Sequence, residues 1–147
     1  MSELVLKKKV QVWILHLDEH GRVGRVLLFY TRPDRDLVRG SYWQPVTGSV
    51  DDGETLIQAA FREAYEESGI ELPQIEALDF VFEFEGRWGR REEHVFFAKI
   101  TGNLDLFEIQ IDSNEHIHFE WVSVEQVSER LAFDSNRLAF SKIIKKK

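Results

Sequence analysis

A chain of 147 residues, 43% hydrophobic and 31% charged, has the composition of an ordinary globule, long enough to hide roughly 70% of its unfolded surface, and residues 1–147 read as a single domain. Its net charge of -7 argues against general nucleic-acid binding, which needs basic surface to neutralise phosphates. With no cysteine there is no disulfide, thiolate metal site or cysteine nucleophile, so a metal ion would be held by oxygen or histidine. The lysines at 7–9 follow a short apolar run, the reverse of a secretory signal, and no window matches a membrane span; a cytoplasmic protein is expected. The lysines at 145–147 read as a solvated terminus.

In chain order, residues 9–17 set Val10, Val12 and Ile14 against Gln11, Trp13 and Leu15, the pattern of a strand buried on both faces, with His16 at its edge. Residues 18–22 form a hairpin turn into a second strand over 23–30, which carries Val26, Leu27, Leu28 and Phe29. Residues 31–40 are a polar loop with Pro33, Gly40 and three arginines, Arg32, Arg35 and Arg39. Arg forks match phosphate geometry, but loops are commonly charged, and the two readings are evenly balanced. Tyr42 and Trp43 could stack a flat heterocycle, although aromatics at a strand start more often join the core.

Residues 48–70 are a loop, a helix and a stop at Gly69, a suitable C-cap. Ile57, Ala60, Phe61 and Ala64 recur at i, i+3, i+4, i+7 as an apolar face, and Glu63, Glu66 and Glu67 fall together on another. Like charges at that spacing cost roughly 0.2–0.5 kcal/mol per pair, which a divalent cation would reverse. An all-oxygen site of this kind suits Mg²⁺, with Mn²⁺ as a substitute. Beyond Gly69, residues 78–84 and 93–100 read as a hairpin with Trp88 exposed at its tip and His94 without a chemical role. Residues 102–112 read as a loop with an irregular strand, and 117–122 as a strand with Trp121 inward. Residues 124–131 and 136–144 read as helical, with Leu138, Ile143 and Ile144 offering an apolar side. Strands around a helix, with a second helix at the end, indicate an α/β protein, an α/β/α sandwich with a mixed sheet.

Gly48, Glu54, Arg62, Glu63, Glu66, Glu67 and Gly69 spell G-x5-E-x7-R-E-x2-E-E-x-G, followed by Ile70. Seven positions at roughly 7% each coincide by chance about once in 10⁸. This pattern resembles the signature of the Nudix hydrolases, with Ala64 where a larger aliphatic residue is usual. Glu63, Glu66 and Glu67 are read as metal ligands. The resemblance implies the Gly48 carbonyl as a further ligand and a supporting ion pair between Glu54 and Arg62. Breaking a phosphoanhydride requires neutralising a polyanion and positioning water. Glu66, Glu67 and Glu115 are the candidate catalytic carboxylates, with the general base left open between Glu67 and Glu115.

Residues 43–50 (WQPVTGSV), Glu115-His116 shortly before Trp121, and Ser135-Asn136-Arg137 before Ala139 look like the bacterial dihydroneopterin triphosphate pyrophosphatase branch. That resemblance implies hydrolysis of a pteridine triphosphate or a dNTP, and assigns Glu115 to the metal site. The basic, longer stretch over 31–41 departs from the branch. Arg32, Trp43 and Arg137 are the candidate substrate-binding residues. The reading is Mg²⁺-dependent hydrolysis of a nucleoside triphosphate-like small molecule, giving a monophosphate and pyrophosphate. The alternatives are a nucleoside diphosphate-sugar or dinucleoside polyphosphate hydrolase, and a non-catalytic nucleotide-binding module, against which the three intact glutamates speak. The sequence assigns no oligomeric state.

Overall fold

The two-faced apolar pattern of residues 10–15 becomes β1 (Lys7–Leu17), the central strand of a mixed sheet. A computed structural model describes residues 6–33, 40–86, 89–113 and 115–146. The expectations attached to Arg35, Arg39, Trp88 and Asn114 fall outside those residues. At the predicted turn the Asp18 carboxylate accepts the N–H groups of His20 and Arg22, at 2.8 and 3.0 Å, and the chain reverses into β2 (Val23–Thr31). There follow β3 (Trp43–Gln44), β4 (Val46–Ser49), α1 (Leu56–Ser68), β5 (Glu76–Gly86), β6 (Gly89–Ile100), β7 (His116–Ser123), α2 (Val127–Arg130) and α3 (Asp134–Lys145).

β6 runs parallel to β1 from Lys7↔Arg91 to His16↔Ile100, β5 is antiparallel to β6, and β7 is antiparallel to β2. The functionally important irregularity lies between β1 and β2. These strands pair only near their hairpin, from Leu15↔Val26 to Leu17↔Val23. Further along, β3 pairs with β2 while β4 pairs with β1. Pro45, which has no N–H to offer a ladder, stands where the chain crosses from one partner to the other.

Strand alternation then divides the core in two. Val10, Val12, Ile14, Leu27, Phe29, Phe96 and Ala98 pack with Ala59, Ala60 and Ala64 of α1. Trp13, Leu15, Val26, Leu28, Val95 and Phe97 pack with Ala139, Phe140 and Ile143 of α3. The expected α/β/α layering is therefore present.

Several local expectations need correction. Ile57 and Phe61 are each 38% exposed, whereas Ala59, Ala60, Glu63, Ala64, Glu67 and Ser68 form the buried side of α1. The helix is rotated from the most apolar stripe because small alanines let it approach the sheet and acidic side chains occupy the cleft. In α3, Leu138 and Ile144 are exposed, and the buried side is Asn136, Ala139, Phe140 and Ile143. Residues 102–112 hold a single 3₁₀ turn at Leu104–Leu106 and no strand. Among the described residues no helix is long and apolar enough to cross a membrane.

Candidate functional site

The site begins with the way α1 is started and stopped. Thr55 caps the helix by accepting the Gln58 N–H at 3.2 Å, and the Gln58 side chain returns the favour to the Thr55 N–H at 2.9 Å. Gly69 ends it in the left-handed conformation, φ 77°, its N–H bonded to the Tyr65 carbonyl at 2.8 Å. Between these ends, β4 lies beside α1. Pairing of Gly48 with Val10 puts Gly48 on the α1-facing side of the sheet, and a Cβ there would sit 1.9 Å from the Glu63 carboxyl carbon. Only glycine leaves room for that carboxylate against the strand.

Arg62 neutralises one part of the acidic cluster. Its guanidinium donates to Glu54 at 2.8 and 2.9 Å, to Glu63 at 2.8 Å, to Glu66 at 3.1 Å and to the Ser49 carbonyl at 2.8 Å. The expected Glu54–Arg62 pair is thus present, and Arg62 ties the loop before α1 to the helix. The Arg62 guanidinium, with the Asp51 N–H, holds the Glu54 carboxyl down at about 2. Burial lifts Glu63 above its ordinary range, and Arg62 works against that lift. Glu66 is half exposed on the outer rim.

The other part has no such partner. Glu67 is 1% exposed; Oε2 accepts the Thr47 N–H at 3.1 Å, and Oε1 has no hydrogen-bond partner among the described residues. Burial first, then the Glu115 and Glu63 carboxylates, push Glu67 up to about 11. β7 starts beside it, bringing Glu115 and His116 so close that ligand atoms of Glu67, Glu115 and His116 lie within 4.8 Å of one another. His116 is buried, stacked on Phe29 at 4.8 Å, with Nε2 3.7 Å from Glu67 Oε1. Burial lowers its pKa, so this is a contact of a neutral imidazole rather than an ion pair. His116 Nδ1 is also unsatisfied among the described residues. Buried oxygen and nitrogen atoms without partners, beside crowded carboxylates, are what a bound cation would satisfy.

Two cavities with shared lining residues lie here, one of them lined by Glu63 and Glu115 of this cluster. A cleft of about 430 Å³ is lined by Lys9, Tyr42, Gln44, Thr47, Gly48, Ser49, Glu63 and Glu115. A pocket of about 220 Å³ shares Lys9, Tyr42, Gln44 and Thr47 with it and adds Phe82, Phe84, Phe133, Glu93 and Asn136. Of the sequence-predicted residues, Gly48, Glu54, Arg62, Glu63, Glu66, Glu67 and Glu115 converge. Arg32 is adjacent: its N–H donates to the Glu115 carbonyl at 3.0 Å and its Nε to the Ser113 carbonyl. Trp43 lies apart, packed on Tyr30 at 5.0 Å with the Arg130 guanidinium 5.4 Å over its ring. Arg137 pairs with Asp134 at 3.2 Å and lines neither cavity. Tyr42, named from the sequence with Trp43 as a possible ring stacker, lines both cavities. Gln44, Thr47, Lys9, Glu93 and His116 are site residues that the sequence does not single out; His116 stands next to Glu115, Gln44 and Thr47 lie in the 43–50 stretch, and Lys9 and Glu93 are brought together by strand pairing.

A family model described as a NUDIX domain matches residues 7–142. The chain is 29% identical over 153 aligned positions to the dihydroneopterin triphosphate diphosphatase of Escherichia coli K12, covering 98% of this chain and 97% of that protein. The solved structure of the E. coli dihydroneopterin triphosphate pyrophosphohydrolase superposes with a TM-score of 0.75 at 28% identity, covering 95% of this chain and 97% of that one. An octanoyltransferase of Myxococcus xanthus is 36% identical over 123 positions, covering 80% of this chain; the match spans only 31% of that protein. A C. elegans Ap4A hydrolase has a TM-score of 0.75 at 21% identity, covering 94% of this chain and 95% of that one, and shares the fold.

Proposed function

Since the chain belongs to the Nudix hydrolase family, we propose that it is a Mg²⁺-dependent pyrophosphohydrolase of a nucleoside triphosphate-like substrate, dihydroneopterin triphosphate or a dNTP, and releases a monophosphate and pyrophosphate. The observation that carries this reading is the convergence of Glu67 and Glu115, from α1 and the start of β7, on one cluster whose buried Glu67 Oε1 has no partner among the described residues. Near full-length similarity to the E. coli diphosphatase supports the triphosphate class.

A divalent cation, when bound, neutralises polyphosphate charge and makes water a better nucleophile. Glu63, Glu66, Glu67, Glu115 and the Gly48 carbonyl would hold it, and Mn²⁺ has the same donor preference. Glu67 and Glu115 are the candidate proton acceptors for the attacking water, and Glu67, which burial and the neighbouring carboxylates keep protonated, could serve only once a bound cation holds it ionised. Arg62 keeps Glu63 and Glu66 aligned from behind. Lys9 carries positive charge at the cleft and suits the distal phosphates, with Arg32 behind Glu115 on the Ser113 carbonyl, while the aromatic pocket suits a flat ring.

The test is product analysis in ¹⁸O-labelled water with dihydroneopterin triphosphate, dATP and ADP-ribose, each with Mg²⁺. Pyrophosphate and a labelled or unlabelled monophosphate from a triphosphate support the proposal and identify the phosphorus attacked. Turnover of ADP-ribose alone replaces it with the diphosphate-linked alternative, and no turnover of any anhydride sinks it.

A further inference from the structure

The polar network beneath the aromatic pocket has no part in the hydrolysis. Glu93 is 5% exposed and Asn136 6%, yet both line that pocket. Glu93 stands opposite Lys9 on β1 and Phe82 on β5, so it shares the α3-facing surface of the sheet with Gln11 and Trp13. Trp13 Nε1–H donates to Gln11 Oε1 at 2.6 Å, which decides which end of the Gln11 amide is the nitrogen. Gln11 Nε2 then gives one hydrogen to Glu93 Oε2 at 2.7 Å and the other to Asn136 Oδ1 at 2.9 Å. The Asn136 amide is oriented in turn, its oxygen toward Gln11. What remains is an acceptor, Glu93 Oε1, and a donor, Asn136 Nδ2, neither with a hydrogen bond to another described residue.

We propose that Glu93 and Asn136, held in register by Gln11, read the edge of the substrate ring and select a 2-amino-4-oxopyrimidine edge, as in guanine or a pterin, over that of adenine. Such an edge offers two adjacent N–H donors and a neighbouring carbonyl. The carboxylate takes the donors and the Asn136 amide nitrogen donates to the carbonyl. Adenine turns a ring-nitrogen lone pair toward the same carboxylate, acceptor against acceptor. A buried polar group left unpaired by the wrong ligand is the strong form of discrimination, in contrast to a missing methylene. Tyr42, Phe82, Phe84 and Phe133 supply the ring contacts. Burial pushes Glu93 up to about 7, with Lys9 and Gln11 opposing, so the acceptor form prevails at pH 8. The inference takes its substrate class from the triphosphate reading, but its observations are separate from the acidic cluster.

Calorimetric titration at pH 8 with GMP, IMP and AMP, without divalent cation, tests it on molecules that have no anhydride to cleave. GMP is expected to bind at least about tenfold more tightly than AMP, with IMP, which lacks the 2-amino group, in between. Glu93→Gln can still accept from Gln11 through its amide oxygen but turns an NH₂ group to the pocket, and should lose the preference for GMP. Equal binding of GMP and AMP, no binding of any of the three, or a folded Glu93→Gln protein that keeps the preference would overturn the proposal. The ligand series on the wild-type protein decides the matter if the variant does not fold. Failure of the triphosphate reading shows elsewhere, as no anhydride turnover with Mg²⁺, and leaves the monophosphate preference intact.

Discussion

Glu63 and Glu66 on one side and Glu67 on the other are neighbours on one helix, but they live in opposite electrostatic situations. Arg62 reaches the first two at 2.8 and 3.1 Å, and one of them is open to water. Glu67 is buried against Glu115 and a neutral His116, without a counter-charge in the described residues. The repulsion inferred from spacing alone is therefore largely relieved at the rim and concentrated at Glu67. Glu63 and Glu66 already have a counter-charge, whereas Glu67 leaves a deficit that a bound cation would fill.

The largest test of that contrast is Glu67→Gln. Turnover should fall about 10³-fold, roughly 4 kcal/mol of barrier, while the fold survives. Thermal melts add a second readout. Because the folded pKa of Glu67 is raised, from 4.5 to about 11, its favourable contribution is full below 4.5 and fades as pH rises toward 11. At pH 8 without divalent cation the Gln variant should thus melt above wild type, and Mg²⁺ should stabilise it less. An unchanged Mg²⁺-induced shift would move the cation away from Glu67.

Next comes Gly48→Ala, whose Cβ would meet the Glu63 carboxyl carbon at 1.9 Å. A stability loss of about 1–3 kcal/mol is expected in denaturant unfolding, with a further loss of activity as Glu63 is displaced. Arg62→Met should cost about 2 kcal/mol, discounted for the 26% exposure of its side chain, and leave Glu63 and Glu66 mutually repelling. If the contrast holds, Mg²⁺ restores more stability to this variant than it adds to wild type.

The smallest effect separates the two regions by pH. Glu54, lowered from 4.5 to about 2 by Arg62, contributes stability that is present above 4.5 and lost as pH falls toward 2. Glu54→Gln should flatten the acid limb of the melting curve in that window and leave the region above pH 6 unchanged. A variant that flattened the alkaline side instead would show that the rim and the buried pair do not act separately.

The signature residues were legible in the sequence because they sit on one loop and one helix, where spacing along the chain is spacing in space. The residues 48–70 pattern accordingly announced Gly48, Glu54, Arg62 and the three glutamates, and the alternation over 10–15 announced a strand buried on both faces. The helix's rotation was not legible: Ile57 and Phe61 outweigh the alanines in any apolar count, yet Ala59, Ala60 and Ala64 alone allow α1 to seat on the sheet. Nor could spacing choose between the two ring-stacking candidates: the Trp43–Tyr30 register carries Trp43 to Arg130, and Tyr42 is the one that lines the cavities. Parallel pairing of β1 with β6 puts Glu93 opposite Lys9, and the parting of β1 from β2 admits β4 and opens the cleft. The sequence by itself placed Glu63, Glu66 and Glu67 together through local spacing, and its resemblance to the Nudix signature implied the reaction class and Glu115. Only the tertiary structure decided which carboxylate is buried without a counter-charge among the described residues and what lines the ring pocket, because burial and long-range strand pairing are properties of the assembled sheet.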